Sequence, residues 1–123
     1  MGRPETDNNS TSLLEENLKK ALTELLVLFL LAEKDRYIGE LTTALNERSN
    51  GILTIVFPYS AIYRLLQSGD IIESEKKTAP DGRRRQYLAV TPKGRDRLAQ
   101  LMGSYERFMK GVADVLKTGG EAK

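Results

Sequence analysis

Cysteine, histidine and tryptophan are all absent from the 123 residues. Without cysteine there are no disulfides, no thiol nucleophile and no thiolate metal ligand. Without histidine the imidazole ligand and the commonest general base near neutral pH are missing too. A carboxylate-based enzyme would survive these losses, but no pair of acidic residues stands in an obvious loop to support one. Neither an enzyme nor a metal or cofactor site is expected. Long apolar runs are also missing. The most apolar stretch, Ala21–Ala32, is interrupted by Thr23 and Glu24. It is shorter than the roughly 20 apolar residues that span a bilayer. No membrane association is expected. The first residues, Met1–Asp7, carry acids and adjoin no apolar block, unlike a secretory signal. These properties suit the reducing cytoplasm, which is the expected location.

What is present points to one small domain. The net charge is only +2, yet its distribution is uneven. Lys76, Lys77, Arg83, Arg84 and Arg85 against Asp81 give +4 within ten residues, leaving −2 for the rest of the chain. Concentrated positive charge on one element is the footprint of a phosphate-contacting tip.

The apolar spacing lays out the elements. Residues 1–12 are polar and read as a disordered tail. From Leu13 to about Lys34, Leu14, Leu18, Ala21, Leu22, Leu25, Leu26, Phe29 and Leu30 recur at helical spacing. Ser12, Glu15 and Glu16 suit the start of that helix. Its second half is apolar nearly all round, so it is buried on more than one face or shared with a dimer partner. A second helix is expected over Ile38–Arg48, capped by Asp35 and ended by Ser49-Asn50-Gly51. Residues 52–57 are β-branched and suggest a short strand. Pro58 opens a third helix, which ends at Ser68-Gly69-Asp70. Ile71–Lys77 and Arg85–Val90 are strands around an Asp81-Gly82 turn, with Ile72, Tyr87, Leu88 and Val90 as the apolar side. Thr91-Pro92 starts a last helix that runs to about Lys117, and residues 118–123 read as a second tail.

Three helices followed by a basic hairpin is a winged helix-turn-helix layout: α+β, mainly α. The divisions are a DNA-binding domain over 13–91 and a C-terminal dimerisation helix over 92–117. An isolated basic hairpin has two readings, a phosphate-contacting wing or a charged edge that blocks aggregation. Its place after three helices favours the wing. The third helix would turn Tyr59, Ser60, Tyr63, Arg64 and Gln67 outward, where they can reach phosphates or base edges. The alternative is that a tyrosine packs against helix 2 or the wing. Lys93 and Arg95 are further cations, more simply read as a solvated face. The expected DNA-binding residues are Tyr59, Ser60, Tyr63, Arg64, Lys76, Lys77, Arg83, Arg84 and Arg85. The last helix is long for one small domain. Its stripe, Leu101, Met102, Tyr105, Phe108, Met109, Val112 and Leu116, needs a cover, and a second copy meeting it with Leu18 and Leu22 is the economical one. A winged helix used only as a protein-interaction or dimerisation module, without specific DNA binding, is the main alternative.

Three segments carry a family resemblance over roughly residues 18–117. They are Asp81-Gly82-Arg83-Arg84-Arg85-Gln86-Tyr87 running into Thr91-Pro92-Lys93-Gly94, then Tyr59-Ser60-Ala61-Ile62-Tyr63-Arg64-Leu65, and Tyr37-Ile38-Gly39-Glu40-Leu41. The chain resembles PadR-family transcriptional regulators of the short type, with a single C-terminal helix. The resemblance implies a homodimeric repressor on double-stranded DNA, with Tyr59 and the wing tip on the DNA. It implies a dimer interface from the first and last helices. It also implies a small aromatic effector between subunits, for which Tyr105, Phe108 or Phe29 would supply the stacking surface. The sequence departs from the family pattern at Val56-Phe57-Pro58, which stands where Gly-Thr-Leu is usual.

Overall fold

The structure, a computed structural model, describes the backbone of residues 3–54 and 58–121 and the side chains of residues 12–54 and 58–117. Four helices and one hairpin follow in the order α1 (Arg3–Glu33), α2 (Ile38–Arg48), α3 (Tyr59–Ser68), β1 (Ile71–Thr78), β2 (Arg84–Val90) and α4 (Pro92–Glu121). This is the winged helix-turn-helix arrangement.

Helix α1 begins well before the Ser12 start that the capping pattern suggested. No glycine or proline lies between Pro4 and Glu33, and a nucleated helix propagates through mediocre formers such as Asn, Ser and Thr. Pro4 stands in the first turn, where its missing N–H costs nothing. The helix is also central. Val27, Leu28, Leu30 and Leu31 are buried and form one cluster with Leu41, Leu45, Ile62, Leu65, Ile71 and Leu88. Its opposite face leaves Leu14, Leu18 and Phe29 exposed. Arginines finish its C-terminus. Arg36 Nη1 donates to the Leu30 carbonyl at 2.7 Å, and Arg95 lies 3.5 Å from that of Ala32. Cations there satisfy free carbonyls and suit the negative helix end.

Helix α2 has the expected bounds, but its cap differs. Tyr37, not Asp35, is the N-cap residue, and the Glu40 carboxylate accepts from the Tyr37 N–H at 3.3 Å. The bridge that pairs Arg36 with Leu88 explains the change. Its two backbone bonds, 3.2 and 2.9 Å, hold residue 36 extended, so the helix cannot start at residue 35. The expected strand over 52–57 does not form where it is described: residues 51–53 are a turn, with the Leu53 N–H on the Ser49 hydroxyl. The remainder, residues 55–57, lies outside the described residues.

Strands β1 and β2 pair antiparallel from Ile71–Val90 to Thr78–Arg84, with a register shift between Glu73 and Lys76. The alternation puts Ile71 in the core and Ile72 in solvent, the reverse of the sequence expectation for Ile72. Ile71 follows directly on the buried Asp70, and period-two alternation then turns Ile72 outward.

The joint that aims α4 lies at Asp70. Gly69 ends α3 in the left-handed conformation, φ 81°, and its N–H and that of Asp70 return to Leu66 and Leu65. The Asp70 carbonyl accepts from the Thr91 N–H at 3.0 Å. The Thr91 hydroxyl donates to Gly69 O at 2.7 Å and itself accepts from the Gly94 N–H, capping α4 as its sequence suggested. Gly94 is required by contact: a Cβ there would sit 2.0 Å from the Asp70 oxygen. Lys93 donates to the Ser68 carbonyl. With Arg95 on α1, the two cations of this helix start are exposed, as a solvated face requires, and also reach the carbonyl ends of other helices.

Gly94→Ala should therefore cost about 1–3 kcal/mol, the range for overpacking a filled site. Gly111→Ala, where an added Cβ meets nothing within 4 Å, should gain up to about 1 kcal/mol of helix propensity. Urea denaturation of both variants checks the pair. A neutral Gly94→Ala would contradict the close-contact account.

Candidate nucleic-acid interface

The start of α3 meets the hairpin at one cleft, where Tyr59 stands beside Arg85 and Gln86. Ala61, Ile62 and Leu65 turn inward, which leaves Tyr59, Ser60, Tyr63, Arg64 and Gln67 exposed. The helical step splits these residues into two groups. Tyr59 lines a 380 Å³ cleft with Tyr37, Thr42, Arg85 and Gln86, between α2 and the wing. Ser60 and Arg64 line another with Lys20 and Thr23 of α1. Tyr63 is 64% exposed and packs on neither helix 2 nor the wing in the manner of a core residue.

The hairpin tip is built by short local bonds. Ala79 N–H reaches Arg83 O at 2.8 Å, Gly82 N–H reaches Ala79 O at 2.8 Å, and Gly82 takes φ 86°. The Asp81 carboxylate accepts from the Arg83 N–H at 3.0 Å, an Asx-type turn. Lys76, Arg83 and Arg84 are exposed on this tip, with Arg84 Nη2 on the Lys76 carbonyl at 3.2 Å.

The remaining cations of the expected set are engaged within the protein. Arg85 pairs with Asp81 at 2.8 Å, and its guanidinium lies 5.1 Å from the Tyr37 ring centre. Lys77 lies 4.4 Å from the centre of the Tyr87 ring. Arg64 meets Glu24 of α1 at 2.6 Å. The hydrogen bond from Arg85, and then that from the Arg83 N–H, hold the Asp81 carboxyl below its ordinary range. Burial pushes the Tyr87 phenol up, helped by the charge of Glu40.

Two residues passed over by the sequence reading matter here. Glu24 accepts from Arg64 and, at 3.3 Å, from Arg97 of α4. Arg97 also stands 3.7 Å from Asp70, whose carboxylate takes the Ser68 hydroxyl at 2.7 Å. A chain of charges thus ties α3 to α1 and α4. Glu24 was visible as an acid inside an apolar run. Nothing nearby in sequence marks Arg97, 73 positions away.

The expected dimer residues lie together along α1 and α4. Leu22, Leu101, Met102 and Met109 are half-buried, with Leu101 packed on the core. Leu18, Tyr105, Phe108, Val112 and Leu116 are exposed, Phe108 by 67% and Leu116 by 70%. Val115, 71% exposed, joins them. Leu18, Leu22, Leu25, Tyr105, Phe108 and Met109 line a 440 Å³ cleft between the two helices, with Glu24 also in its wall. Among the described residues no group of His, Cys, Asp and Glu could hold a metal ion, and no helix is long and apolar enough to cross a membrane.

Comparison with known proteins agrees with this geometry. Residues 27–100 match the transcriptional regulator PadR-like family. An uncharacterized protein X of Lysinibacillus sphaericus is 28% identical over 97 residues, which is 78% of this chain and 88% of that one. A Streptococcus transcriptional regulator of known structure is 27% identical, with TM-score 0.68, covering 80% of this chain and 95% of its own. A PadR-like transcriptional regulator from Bacillus cereus is 25% identical, with TM-score 0.69, covering 81% and 96%.

The Asp81–Arg85 pair has a pH signature. A depressed carboxyl pKa contributes stability above the ordinary Asp range and loses it as pH falls through the depressed value. Carboxyl NMR titration should place the Asp81 midpoint below that of an ordinary Asp, and Arg85→Gln should move it back up. An unmoved midpoint in that variant would assign the depression to the Arg83 amide alone.

Proposed function

The chain belongs to the transcriptional regulator PadR-like family, a family of DNA-binding regulators and not of enzymes, and we propose that it acts as a homodimeric repressor on a two-fold operator. The observation that carries this reading is the exposed cationic group of the wing, Lys76, Arg83 and Arg84, next to the cleft where Tyr59 of α3 meets Arg85 and Gln86 of β2. The tip contacts phosphates, releasing condensed counterions. Tyr59, Ser60 and Tyr63 lie along the duplex with α3 at the major groove. Phosphate contact carries most of the affinity, because the cations at the tip are its strongest groups for DNA.

The homodimer reading rests on the apolar stripe of α1 and α4. An isolated domain has little reason to expose Phe108, Val112, Val115 and Leu116 on one helix. A second copy covers them, and its two-fold axis sets the spacing of the half-sites. The cleft between α1 and α4, apolar and aromatic with a carboxylate in its wall, suits a small aromatic effector that releases the repressor. The cytoplasm, where the DNA is, is the compartment this function requires.

Binding to a duplex from the region upstream of its own gene, measured at several salt concentrations, tests the first part. Arg83→Ala and Arg84→Ala should each weaken binding and reduce the slope of log K against log salt by about 0.9. Salt-insensitive binding, or no binding to any duplex, would overturn the reading. Sedimentation tests the second part. Phe108→Asp should turn the dimer into a monomer, and a variant that remains dimeric would remove α4 from the interface.

A further inference from the structure

The Tyr37-Ile38-Gly39 segment is not used by the reading above, yet it lies directly under the wing. Tyr37 caps α2 and sets its ring edge-on to Tyr87, with ring centres 5.5 Å apart and planes at 73°. This aromatic pair has a cation on each ring: Arg85 at 5.1 Å from Tyr37 and Lys77 at 4.4 Å from Tyr87. Aromatic edges and cations over ring faces are both attractive geometries. The neighbouring Arg36–Leu88 backbone bridge adds a second attachment between β2 and the segment before α2.

Arg85 itself is poorly placed to bind a phosphate. Its Nε is buried, and none of the described side chains or carbonyls accepts from it. Its Nη2 is on Asp81 at 2.8 Å. The guanidinium is thus wedged between a carboxylate and an aromatic ring, on the Lys77–Arg85 rung just below the turn. Arg83 and Arg84, the two residues before it, remain exposed.

We propose that Tyr37 and Arg85 are positioning residues for DNA binding: they clamp the wing, at the Lys77–Arg85 rung, to the start of α2, so that the exposed cations meet the backbone while Arg85 contacts none. This rests on the DNA-binding reading for its consequence, but the clamp has its own readout. Gly39 belongs to the same device. A Cβ at Gly39 would stand 2.7 Å from the Tyr37 ring, so the ring fits only against a bare backbone. Gly39, the second residue of α2, leaves open the space that the ring occupies.

Two measurements on the full chain test the clamp. The first is amide hydrogen exchange without DNA. In Tyr37→Leu, Gly39→Ala and Arg85→Gln the hairpin amides of residues 76–85 should exchange faster while those of α4 are unchanged. Tyr37→Phe, which keeps the ring, should behave as the parent. The second is DNA affinity against salt. Arg85→Gln and Gly39→Ala should weaken binding about two- to tenfold with the parental slope, whereas Arg83→Ala lowers the slope. A cooperative melt in Gly39→Ala shows that the domain is folded, so that faster hairpin exchange in that variant reports on the clamp. Unchanged hairpin exchange in Tyr37→Leu and Gly39→Ala would overturn the clamp whatever the DNA result. A slope loss in Arg85→Gln equal to that of Arg83→Ala would make Arg85 a phosphate contact and overturn its positioning role. If the parent protein bound no duplex, the DNA-binding reading would fail, and the exchange data would still decide the clamp.

Discussion

The backbone carbonyl of Asp70 is the point on which the arrangement turns. The end of α3, the start of β1 and the start of α4 all meet there. Thr91 bonds to it through its N–H, and Gly94 presses against it with no side chain between. The residue is 2% exposed, so each of its polar atoms needs a partner inside the protein. Ser68 and Arg97 serve Oδ2, while Oδ1 is left without one among the described residues. Removing one partner of a buried charge is far costlier than losing a surface pair. The joint therefore fixes three directions at once: that of the outward tyrosines, that of the hairpin and that of the long helix.

The charges of the interface divide into committed and available groups. Arg64, Lys77 and Arg85 are held by Glu24, Tyr87, and Asp81 with Tyr37, and Lys76 and Arg83 project into solvent at the tip. Exposed ion pairs contribute little to stability, at most about 1 kcal/mol each. Their effect here is on geometry. They orient the guanidinium of Arg64 towards α1 and that of Arg85 towards the turn and α2.

Much of this was legible in the sequence, for local reasons. The Asp81-Gly82 turn, the Thr91-Pro92 helix start and the Gly69 stop each act through their own backbone, and their residues announce it. The apolar step of α2 and α4 did the same for those helices. What was hidden depends on distance. The Arg36–Leu88 bridge joins positions 52 apart and displaced the Asp35 cap. Ile72 was misplaced because Ile71 and Ile72 are chemically identical, and only the anchoring of Asp70 fixes which of them faces inward. The basic residues read as one cluster by charge. Nothing in their sequence separates Arg83, in solvent, from Arg85, against an aromatic ring. That separation comes from Tyr37, on another element. The match over residues 27–100 reached the family that the motifs suggested, and it covers the joint and the wing but little of α4.

The remaining helix behaves as a lever. Its 30 residues make a rod about 45 Å long at 1.5 Å per residue. Its first three turns are anchored, by the Asp70 carbonyl at Thr91 and Gly94, by Arg95 and Arg97 on α1 and by Leu98 and Leu101 against the core. A bend of roughly ten degrees where those anchors end sweeps the far end, about 30 Å on, by about 5 Å. Whatever seats on the distal half is then indexed to α3 through these anchors. Substitutions at the buried Asp70 or Gly94 would redirect the distal half of α4 relative to α3 without altering one exposed residue of either helix.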